Sequence, residues 1–258
     1  MATWETVREW IDASFRVTVL TGAGISTDSG IQDFRGPKGL WTKNPGAEKM
    51  ATLQHYLADA EVRRKAWTNR LESPAWQAEP NAGHHALVAL EEQGRLHALV
   101  TQNVDGLHQQ AGSSPEKVIE IHGTIHEVMC MECDDRAPME AALSRVRAGE
   151  EDPPCRRCGG VLKSSTISFG QSLVERDLLR SQEAAENCDL LLAIGSTLAV
   201  FPAANMVPIA RNAGAKVVIL NAQPTEMDVL ADAVLNDSIS VVLPRLVGVA
   251  DDELLPQG

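Results

Sequence analysis

The sequence lacks any apolar run that approaches the roughly 18 residues of a membrane-spanning helix, so we expect no membrane association. Its first ten residues carry charges where a secretory signal peptide needs an apolar core, which predicts a cytoplasmic protein. Basic residues are also in short supply: 23 Lys and Arg stand against 35 Asp and Glu, for a formal net charge of −12. This balance argues against nucleic acid as a partner, but it tolerates basic protein substrates.

Internal repeats and low-complexity tracts are absent from the 258 residues. With 44% hydrophobic and 22% charged residues, the composition is that of an ordinary globular protein, which excludes disordered, collagenous and coiled-coil chains. The length suffices for one large domain, or for a domain with a smaller subdomain. Nothing in the sequence indicates an oligomer, so we take a monomer as the default.

Cysteine is scarce, but four of the five cysteines form two Cys-x-x-Cys pairs: Cys130 with Cys133, and Cys155 with Cys158. Two tight turns of this kind present four thiolates to one ion, which is the preferred geometry of a structural zinc site. A pair of redox dithiols is the weaker alternative, because neither pair lies in a βαβ context. Cys188 has no partner in the sequence, and we expect it to be a small buried hydrophobe.

Short β-branched apolar runs, ended by polar or glycine residues, alternate with helical patterns along the chain. This alternation predicts an α/β fold with a doubly wound parallel sheet, whose chemistry gathers at the carboxyl ends of the strands. The predicted strands are 17–20, 96–101, 118–121, 190–194, 216–220 and 239–243. The clearest helical patterns are 4–14, 84–93 and 203–212.

Two stretches interrupt the alternation, and we expect them to form a smaller lobe together. One carries a helical pattern over 58–71 among several prolines, and the other carries the cysteine pairs. The predicted division is therefore 1–36, 82–123 and 164–258 for the sheet domain, 37–81 for a helical insertion and 124–163 for a zinc module.

The first predicted strand runs into the glycine-rich turn Gly22-Ala23-Gly24, where the backbone can approach a phosphate closely. Alone this turn is weak evidence, since Thr27 breaks the usual Gly-x-Gly-x-x-Gly spacing and a plain strand–helix turn would look the same. The residues that follow the turn strengthen the interpretation as a ligand-binding site, because Asp33, Phe34 and Arg35 sit together in a loop that glycines allow to move.

His122 is the strongest candidate for a general base. It lies at the predicted end of a strand, beside a glycine, and an imidazole titrates near neutral pH. The other six histidines have structural interpretations or no motif around them. His108, for example, can simply cap or pack the helix that follows Asp105.

Taken together and in order, these segments resemble the sirtuins of bacterial type, the NAD-dependent protein lysine deacylases. The resemblance runs from about residue 15 to 245 and includes the cysteine quartet. The matching segments are Gly22-Ala-Gly-Ile-Ser26, Ser29-Gly-Ile-Gln-Asp-Phe-Arg-Gly36, Thr101-Gln-Asn-Val-Asp-Gly-Leu-His108, His122-Gly123, Phe169-Gly170 and Gly195-Ser-Thr-Leu198.

The resemblance implies a Rossmann-like domain with a zinc-containing small lobe, and a cleft where NAD and an acyl-lysine protein substrate meet. It implies transfer of the acyl group to NAD as a consumed co-substrate, which releases nicotinamide and O-acyl-ADP-ribose. By the same resemblance, His122 is the base, Asn103 orders the ribose and a water, and Asp105 with the Val104 backbone holds the nicotinamide carboxamide. The remaining NAD contacts it implies are Gly22, Ala23, Gly24, Ser26, Asp33, Phe34, Arg35, Gln102, Gly195, Ser196 and Asn221.

Several positions depart from the sirtuin pattern. Gln32 replaces a usual proline, and Ser164, Ser165 and Gln171 replace a proline and two acids in the segment that binds the substrate peptide, which also holds Ile167 and Phe169. Peptide selectivity is therefore the least secure implication of the resemblance.

The residues expected to line the acyl pocket also depart from the sirtuin pattern. Sirtuins that prefer acidic acyl groups carry Ala, Tyr and Arg at the spacing where this chain has Ala51, Trp67 and Arg70. Without that tyrosine hydroxyl, and with Trp67 as a large apolar wall, we expect neutral acyl groups, acetyl or longer aliphatic chains, to be favoured over succinyl. The alternative is that Trp67 and Arg70 lie on a solvated helix face.

Two other functions remain open at this point. A mono-ADP-ribosyltransferase or NAD glycohydrolase would use the same fold, although the retention of His122, Asn103 and Asp105 favours deacylation. A non-catalytic NAD- or zinc-dependent binding module would show eroded polar strand ends, which this sequence does not.

Overall fold

The computed structural model describes residues 3–36, 39–43 and 50–249. Its larger sheet has six parallel strands in the order β3-β2-β1-β7-β8-β9, which confirms the predicted α/β class. These strands are β1 Val17–Thr21, β2 Leu96–Thr101, β3 Val118–Glu120, β7 Leu190–Ile194, β8 Lys216–Leu220 and β9 Ala233–Leu235. A smaller antiparallel sheet, in the order β5-β4-β6, contains β4 Gly123–Cys130, β5 Arg136–Pro138 and β6 Leu162–Thr166.

Ten α-helices surround and connect the sheets in the described part of the chain. They are α1 Trp4–Ala13, α2 Leu40–Lys43, α3 Leu53–Ala58, α4 Ala60–Leu71, α5 Ala82–Glu92, α6 Leu107–Ala111, α7 Met139–Arg147, α8 Glu175–Glu186, α9 Met206–Asn212 and α10 Ile239–Val247. Short 3-10 segments lie at Ala23–Ser29, Pro74–Trp76, Ala203–Asn205 and Asp228–Leu230. Among these described residues, no helix is both long and apolar enough to cross a bilayer.

Both faces of the large sheet are covered, as a doubly wound sheet requires. One core joins α1, α5 and α10 to the sheet, with Val19, Leu87 and Leu243 fully buried in it. The opposite core packs α8 and α9 against residues such as Leu191 and Val217. Because strands covered on both faces bury every side chain, these runs are continuously apolar rather than alternating.

One predicted strand is wrong. Residues 239–243 begin helix α10, and the sixth strand of the sheet is instead the three-residue β9. The β-branched run resembles a strand locally, but its buried residues Ile239, Leu243, Leu246 and Val247 follow the helical spacing i, i+4, i+7 and i+8. Packing of this apolar face against α1 and α5 therefore overrides the strand preference of the individual residues.

The turn after β1 is hydrogen-bonded to the end of β7 and the turn after it, backbone to backbone. Gly24 N donates to Gly195 O at 2.8 Å, and Gly22 N donates to Ile194 O at 2.9 Å. A Cβ on Gly24 would lie 2.7 Å from the Cα of Gly195, and a Cβ on Gly195 would lie 2.5 Å from the N of Ile25. Gly195 also has a φ of +63°, so glycine is required there for space and for conformation.

The helical insertion and the cysteine module pack against each other. Trp67 of α4 is fully buried in a core that includes Val128, Cys130 and Met139. Arg63 Nε donates to Asp152 Oδ2 at 2.8 Å, and this ion pair is largely buried. The small lobe is thus a single packed unit made from two separate segments of the chain.

Four cysteine sulfurs meet at one point in this lobe, all within 4.8 Å of one another. Cys130 Sγ and Cys158 Sγ are 3.4 Å apart, and Cys133 Sγ and Cys155 Sγ are 3.7 Å apart. A tetrahedron of thiolates with Zn–S bonds of about 2.3 Å has S–S edges of about 3.8 Å, so the cluster fits one structural zinc ion. The fifth cysteine, Cys188, is buried away from the cluster, as expected.

The glycine contact gives a stability prediction. Gly195→Ala should lower the free energy of unfolding by about 1–3 kcal/mol more than Gly94→Ala, because only the first methyl group collides with backbone. Gly94 is a matched control, since its φ of +72° carries the same conformational cost but its Cβ position is open. Urea unfolding followed by circular dichroism measures the difference; equal losses would show that the close approach is not limiting.

The cysteine cluster predicts one bound zinc per chain that contributes folding free energy to the small lobe. Cys130→Ser with Cys155→Ser should abolish zinc binding and lower the unfolding temperature, whereas Cys188→Ala should keep the zinc. Elemental analysis and thermal unfolding measure the two effects. A chain that loses all its zinc and keeps both its unfolding temperature and its near-UV circular dichroism would contradict a structural role.

Candidate active site

A large cavity of about 1630 Å³ opens at the carboxyl ends of the parallel strands. Its walls come from the turns after β1, β2, β7 and β8, from the helical insertion and from the segment that follows β6. In the sheet order, β1 lies between β2 and β7, so the chain reverses its winding at β1 and leaves a crevice there. The volume is large enough for two substrates at once.

The segment Ala23–Ser29, which follows β1, forms one wall of this crevice. It begins after Gly22 without a side-chain cap, but the N–H groups of Gly24 and Ile25 already donate to Gly195 O at 2.8 Å and to Gly22 O at 3.1 Å. What the segment offers a ligand is therefore close approach of its glycine backbone. Gly22, Ala23, Gly24 and Ser26 all contact the cavity.

Asn103, Asp105 and Ser26 form a buried hydrogen-bonded group on the cavity wall. Asn103 Nδ2 donates to Ser26 Oγ at 3.1 Å and to Gly22 O at 3.2 Å. Ser26 Oγ in turn donates to Asp105 Oδ2 at 2.8 Å, and the N–H of Leu107 donates to Asp105 Oδ1 at 3.1 Å. The carboxylate and the amide are therefore fixed in orientation before any ligand arrives.

Gln102 and Ser196 close the crevice on its other side. Gln102 Nε2 donates to Ser196 Oγ at 2.9 Å, which joins the end of β2 to the turn after β7 across β1. Asn221 follows β8 on the same edge of the sheet and also contacts the cavity. All of these residues come from different strands, and the parallel topology brings them together.

Asp33, Phe34 and Arg35 also face the cavity. Phe34 and Arg35 both contact Trp41, at 5.0 Å between ring centroids and 4.5 Å from guanidinium to ring. Trp41 then packs against Phe169 at 5.4 Å. The loop is thereby linked through one indole to the segment expected to bind the peptide.

His122 lies between β3 and β4, and its ring Nδ1 is 3.1 Å from the carbonyl oxygen of Gln102. A carbonyl only accepts, so Nδ1 carries the proton and Nε2 keeps its lone pair. Burial lowers the pKa of His122 below the ordinary 6.5, because it disfavours the charged imidazolium. His122 is therefore a neutral imidazole on the cavity wall at physiological pH.

Four of the five expected acyl-lysine contacts lie on the cavity wall: Ala51, Arg70, Ile167 and Phe169. The N–H of Ile167 donates to His122 O at 2.7 Å, and the N–H of Phe169 donates to Ala51 O at 2.8 Å. The segment after β6 is thus held between the candidate base and the helical insertion.

The expectation that Trp67 walls the acyl pocket is wrong for this structure. Its ring is fully buried in the small-lobe core and does not line the cavity, because it packs against the cysteine module. The solvated helix face that we considered as the alternative is excluded for Trp67 by the same burial. Arg70, which lines the cavity, lies over the Trp67 ring at 4.7 Å from the ring centroid. Trp67 thus contacts a cavity residue without lining the cavity itself.

Sequence reasoning missed Tyr56 as a partner of this arginine. Arg70 Nη1 donates to the Tyr56 hydroxyl at 3.3 Å, and the hydroxyl donates to Leu162 O at 2.8 Å. A tyrosine hydroxyl therefore does reach Arg70, but from helix α3 rather than from position 67. No local signal could reveal this, since 14 residues separate the two in sequence.

His126 is a second contact that the sequence did not indicate. Its Nε2 lies 2.8 Å from the carbonyl oxygen of Asp105, and the N–H of Ile125 donates to Val104 O at 2.9 Å. Strand β4 thus supports the backbone of the loop that holds Asp105.

Comparison with known proteins identifies the family. Residues 22–202 match the family model described as the Sir2 family. The chain is 48% identical over 231 residues to NAD-dependent protein deacetylase 2 of Streptomyces coelicolor, covering 90% of this chain and 96% of that protein. It is 38% identical over 247 residues to the NAD-dependent protein deacetylase of Thermodesulfovibrio yellowstonii, covering 95% and 94%.

Solved structures give the same result. A structure of a Sir2 enzyme, solved in work on the mechanism and regulation of these enzymes, superposes with a TM-score of 0.86 at 36% identity, covering 95% of this chain and 98% of that one. A Sir2 complex with a peptide and NAD+ superposes with a TM-score of 0.85 at 31% identity, covering 96% and 98%. The chain therefore belongs to the Sir2 family, the sirtuins.

Proposed function

We propose that this protein is an NAD-dependent protein lysine deacylase that consumes NAD as a co-substrate. The observation that carries the proposal is Nε2 of the neutral His122, which has no hydrogen-bond partner among the described residues and lies in one cavity with the glycine turn and the expected acyl-lysine segment. The relatives named as NAD-dependent protein deacetylases, and a Sir2 structure bound to an acetylated peptide, support this assignment.

In the proposed reaction, acyl-lysine, NAD and water give lysine, nicotinamide and O-acyl-ADP-ribose. The glycine turn at the start of Ala23–Ser29 binds the pyrophosphate, and Gln102, Ser196 and Asn221 serve the ribose and adenosine side. Asn103 orders the nicotinamide ribose and a water. Asp105 and the Val104 backbone hold the carboxamide of nicotinamide until it leaves, and His122 takes a proton from the ribose hydroxyl through Nε2.

The acyl-lysine enters from the opposite side of the cavity. The peptide pairs with the backbone of the segment that follows β6, as an added strand, and the acyl chain points past Ala51 toward Arg70. Because Phe169 contacts Trp41, and Trp41 contacts Phe34, the bound peptide and the NAD loop share one wall of side chains.

His122→Ala should abolish NAD-dependent loss of an acetyl group from an acetyl-lysine peptide, because His122 is the only histidine among the described residues that lines the cavity. Mass spectrometry of the peptide, incubated with and without NAD, measures the loss. His55→Ala, a change outside the cavity, is the control and should leave the rate unchanged. Release of nicotinamide with an unchanged peptide would indicate a glycohydrolase instead.

The pH profile of the same assay checks the role of His122. Protonation removes the base, and burial holds the folded-state pKa below 6.5, so kcat/KM should rise with pH and reach half its plateau below pH 6.5. An acidic limb above pH 6.5 would contradict the environment assigned to His122.

We further propose that neutral acyl groups, acetyl or longer aliphatic chains, are preferred to succinyl. The reason differs from the sequence argument, since Trp67 is not a wall. Arg70 is engaged by the Trp67 ring, by the Tyr56 ring at 5.3 Å and by the Tyr56 hydroxyl. The proton of that hydroxyl is given to Leu162 O, so a succinyl carboxylate would find no tyrosine donor beside the guanidinium.

Comparison of kcat/KM for acetyl-, myristoyl- and succinyl-lysine forms of one peptide tests this preference. We expect the succinyl form to be slowest, by roughly tenfold or more, which is the loss expected for one unmade charged hydrogen bond. Tyr56→Phe is the informative variant, because it frees Arg70 from one partner without changing the ring. A dominant succinyl rate in the unaltered enzyme would overturn the proposal.

A further inference from the structure

Two fully buried histidines lie directly behind the candidate NAD site. His84 of α5 and His108 of α6 are 0% and 1% exposed, and their ring centroids are 5.0 Å apart with a 58° tilt. One nitrogen on each ring, His84 Nε2 and His108 Nδ1, has no hydrogen-bond partner among the described residues. Buried ring nitrogens without partners are costly, so this arrangement needs an explanation.

Hydrogen-bond direction fixes the proton on His84. The backbone N–H of Asn81 points to His84 Nδ1 at 3.2 Å, and an N–H can only donate. Nδ1 is therefore the acceptor, and the ring proton sits on Nε2. His84 thus presents an unused donor.

The same reasoning fixes the proton on His108. Thr21 Oγ1 donates its only proton to Thr101 Oγ1 at 2.8 Å. Its contact with His108 Nε2 at 3.0 Å must then be one in which the ring donates. His108 therefore carries its proton on Nε2, and Nδ1 is an unused acceptor beside the unused donor of His84.

Each histidine ends an arm of hydrogen bonds that reaches the site. From His108 the arm runs through Thr21 and Thr101 to the backbone N–H of Asn103, which donates to Thr101 Oγ1 at 3.0 Å. From His84 it runs through Asn81, whose Nδ2 donates to Ile25 O at 2.8 Å and to Ser29 Oγ at 2.9 Å. One arm holds the nicotinamide side, and the other holds the segment Ala23–Ser29.

We propose that His84 and His108 are a pair of positioning residues for NAD: the Nε2–H of His84 pairs with Nδ1 of His108 through one buried water, and so joins the two arms behind the site. The pair touches neither substrate. It adds a second connection, behind the site, between Asn103 and the Ala23–Ser29 segment, which Asn103 also contacts directly through Ser26 Oγ; the proposed function assigns these two elements to the two ends of the nicotinamide riboside phosphate. The inference rests on that proposed function.

The charge state of both rings suits this role. Burial lowers the pKa of His84 to about 4 and that of His108 to about 3; His85 further disfavours a proton on His84, and His84 further disfavours one on His108. Both rings therefore stay neutral, and a neutral imidazole has one donor and one acceptor, as a directional chain requires.

Kinetics of two His108 variants test the role of the arm. His108→Leu removes both ring nitrogens, and kcat/KM for NAD should fall roughly threefold to tenfold, the effect of one lost buried hydrogen bond. His108→Gln keeps an amide N–H near the Nε2 position and should recover most of that loss. The KM for the acyl-peptide should stay unchanged in both variants, since the arm leads only to the NAD side.

Ser113→Ala is the matched control. It removes a buried hydroxyl that has no partner in the described part of the chain, near the end of the same helix and outside either arm, and should leave NAD kinetics unchanged. Should His108→Leu fail to fold by circular dichroism, Thr21→Val breaks the same arm with a side chain of the same shape. Wild-type kinetics in the folded variants of His108 or Thr21 would overturn the inference.

A double-mutant cycle and NMR test the pairing itself. If the rings are coupled, His84→Leu with His108→Leu should lose about as much kcat/KM as one variant alone, whereas independent roles would give additive losses. Long-range 1H–15N spectra should show both rings as Nε2–H tautomers, with the His108 Nδ1 signal shifted by His84→Leu. Other tautomers, or no shift, would overturn the pairing.

The NMR measurement separates failure of this inference from failure of the proposed function. A wild-type protein that does not deacylate would disprove the deacylase assignment, while the spectra would still decide whether the rings pair. An active protein with additive kinetic losses and an unshifted His108 signal would disprove the pair and leave the deacylase intact.

Discussion

Direct backbone contact between two turns is the constraint on which the candidate site depends. The turn after β1 and the turn after β7 approach so closely that Gly24 and Gly195 have no room for a side chain. This contact places the uncapped start of the Ala23–Ser29 segment over the centre of the sheet. It also sets the distance that the Gln102–Ser196 hydrogen bond must span. A larger residue in either turn would separate β1 from β7 and open the crevice.

Strand β4 connects the chemistry to the metal module. It begins directly after His122 and ends at Cys130, and its neighbour β6 continues into the segment that reaches Ile167 and Phe169. Zinc at the cysteine cluster would therefore act on catalysis through the register of these strands rather than through contact with a substrate. Trp67, which was expected to contact the substrate, is a core residue here because it packs against the cysteine module. It also contacts Arg70 on the cavity wall.

Burial determines the protonation states around the site. His122 is kept neutral at the cavity wall, and His84 and His108 are kept neutral behind it, in each case because the interior disfavours the imidazolium. The same effect lowers the pKa of the buried Lys163 to about 7, where its ammonium group donates to the carbonyl groups of Ser164 and Thr166. The polar groups near the cavity are thus held by oriented hydrogen bonds more than by ion pairs, although the chain as a whole is strongly acidic.

The sequence by itself determined the fold class, five strands to within one residue of each bound, and the meeting of the four cysteines. These properties follow from local apolar runs and from spacings of two residues, and such signals survive in the linear chain. It misassigned 239–243, because a β-branched run looks the same whether a helix face or a sheet covers it. Only the tertiary structure decided the burial of Trp67, the contact of Tyr56 with Arg70 and the proximity of His84 to His108. Each of these depends on which distant segments pack together, and a side chain's environment, unlike its helical or strand preference, is not encoded by its neighbours in sequence.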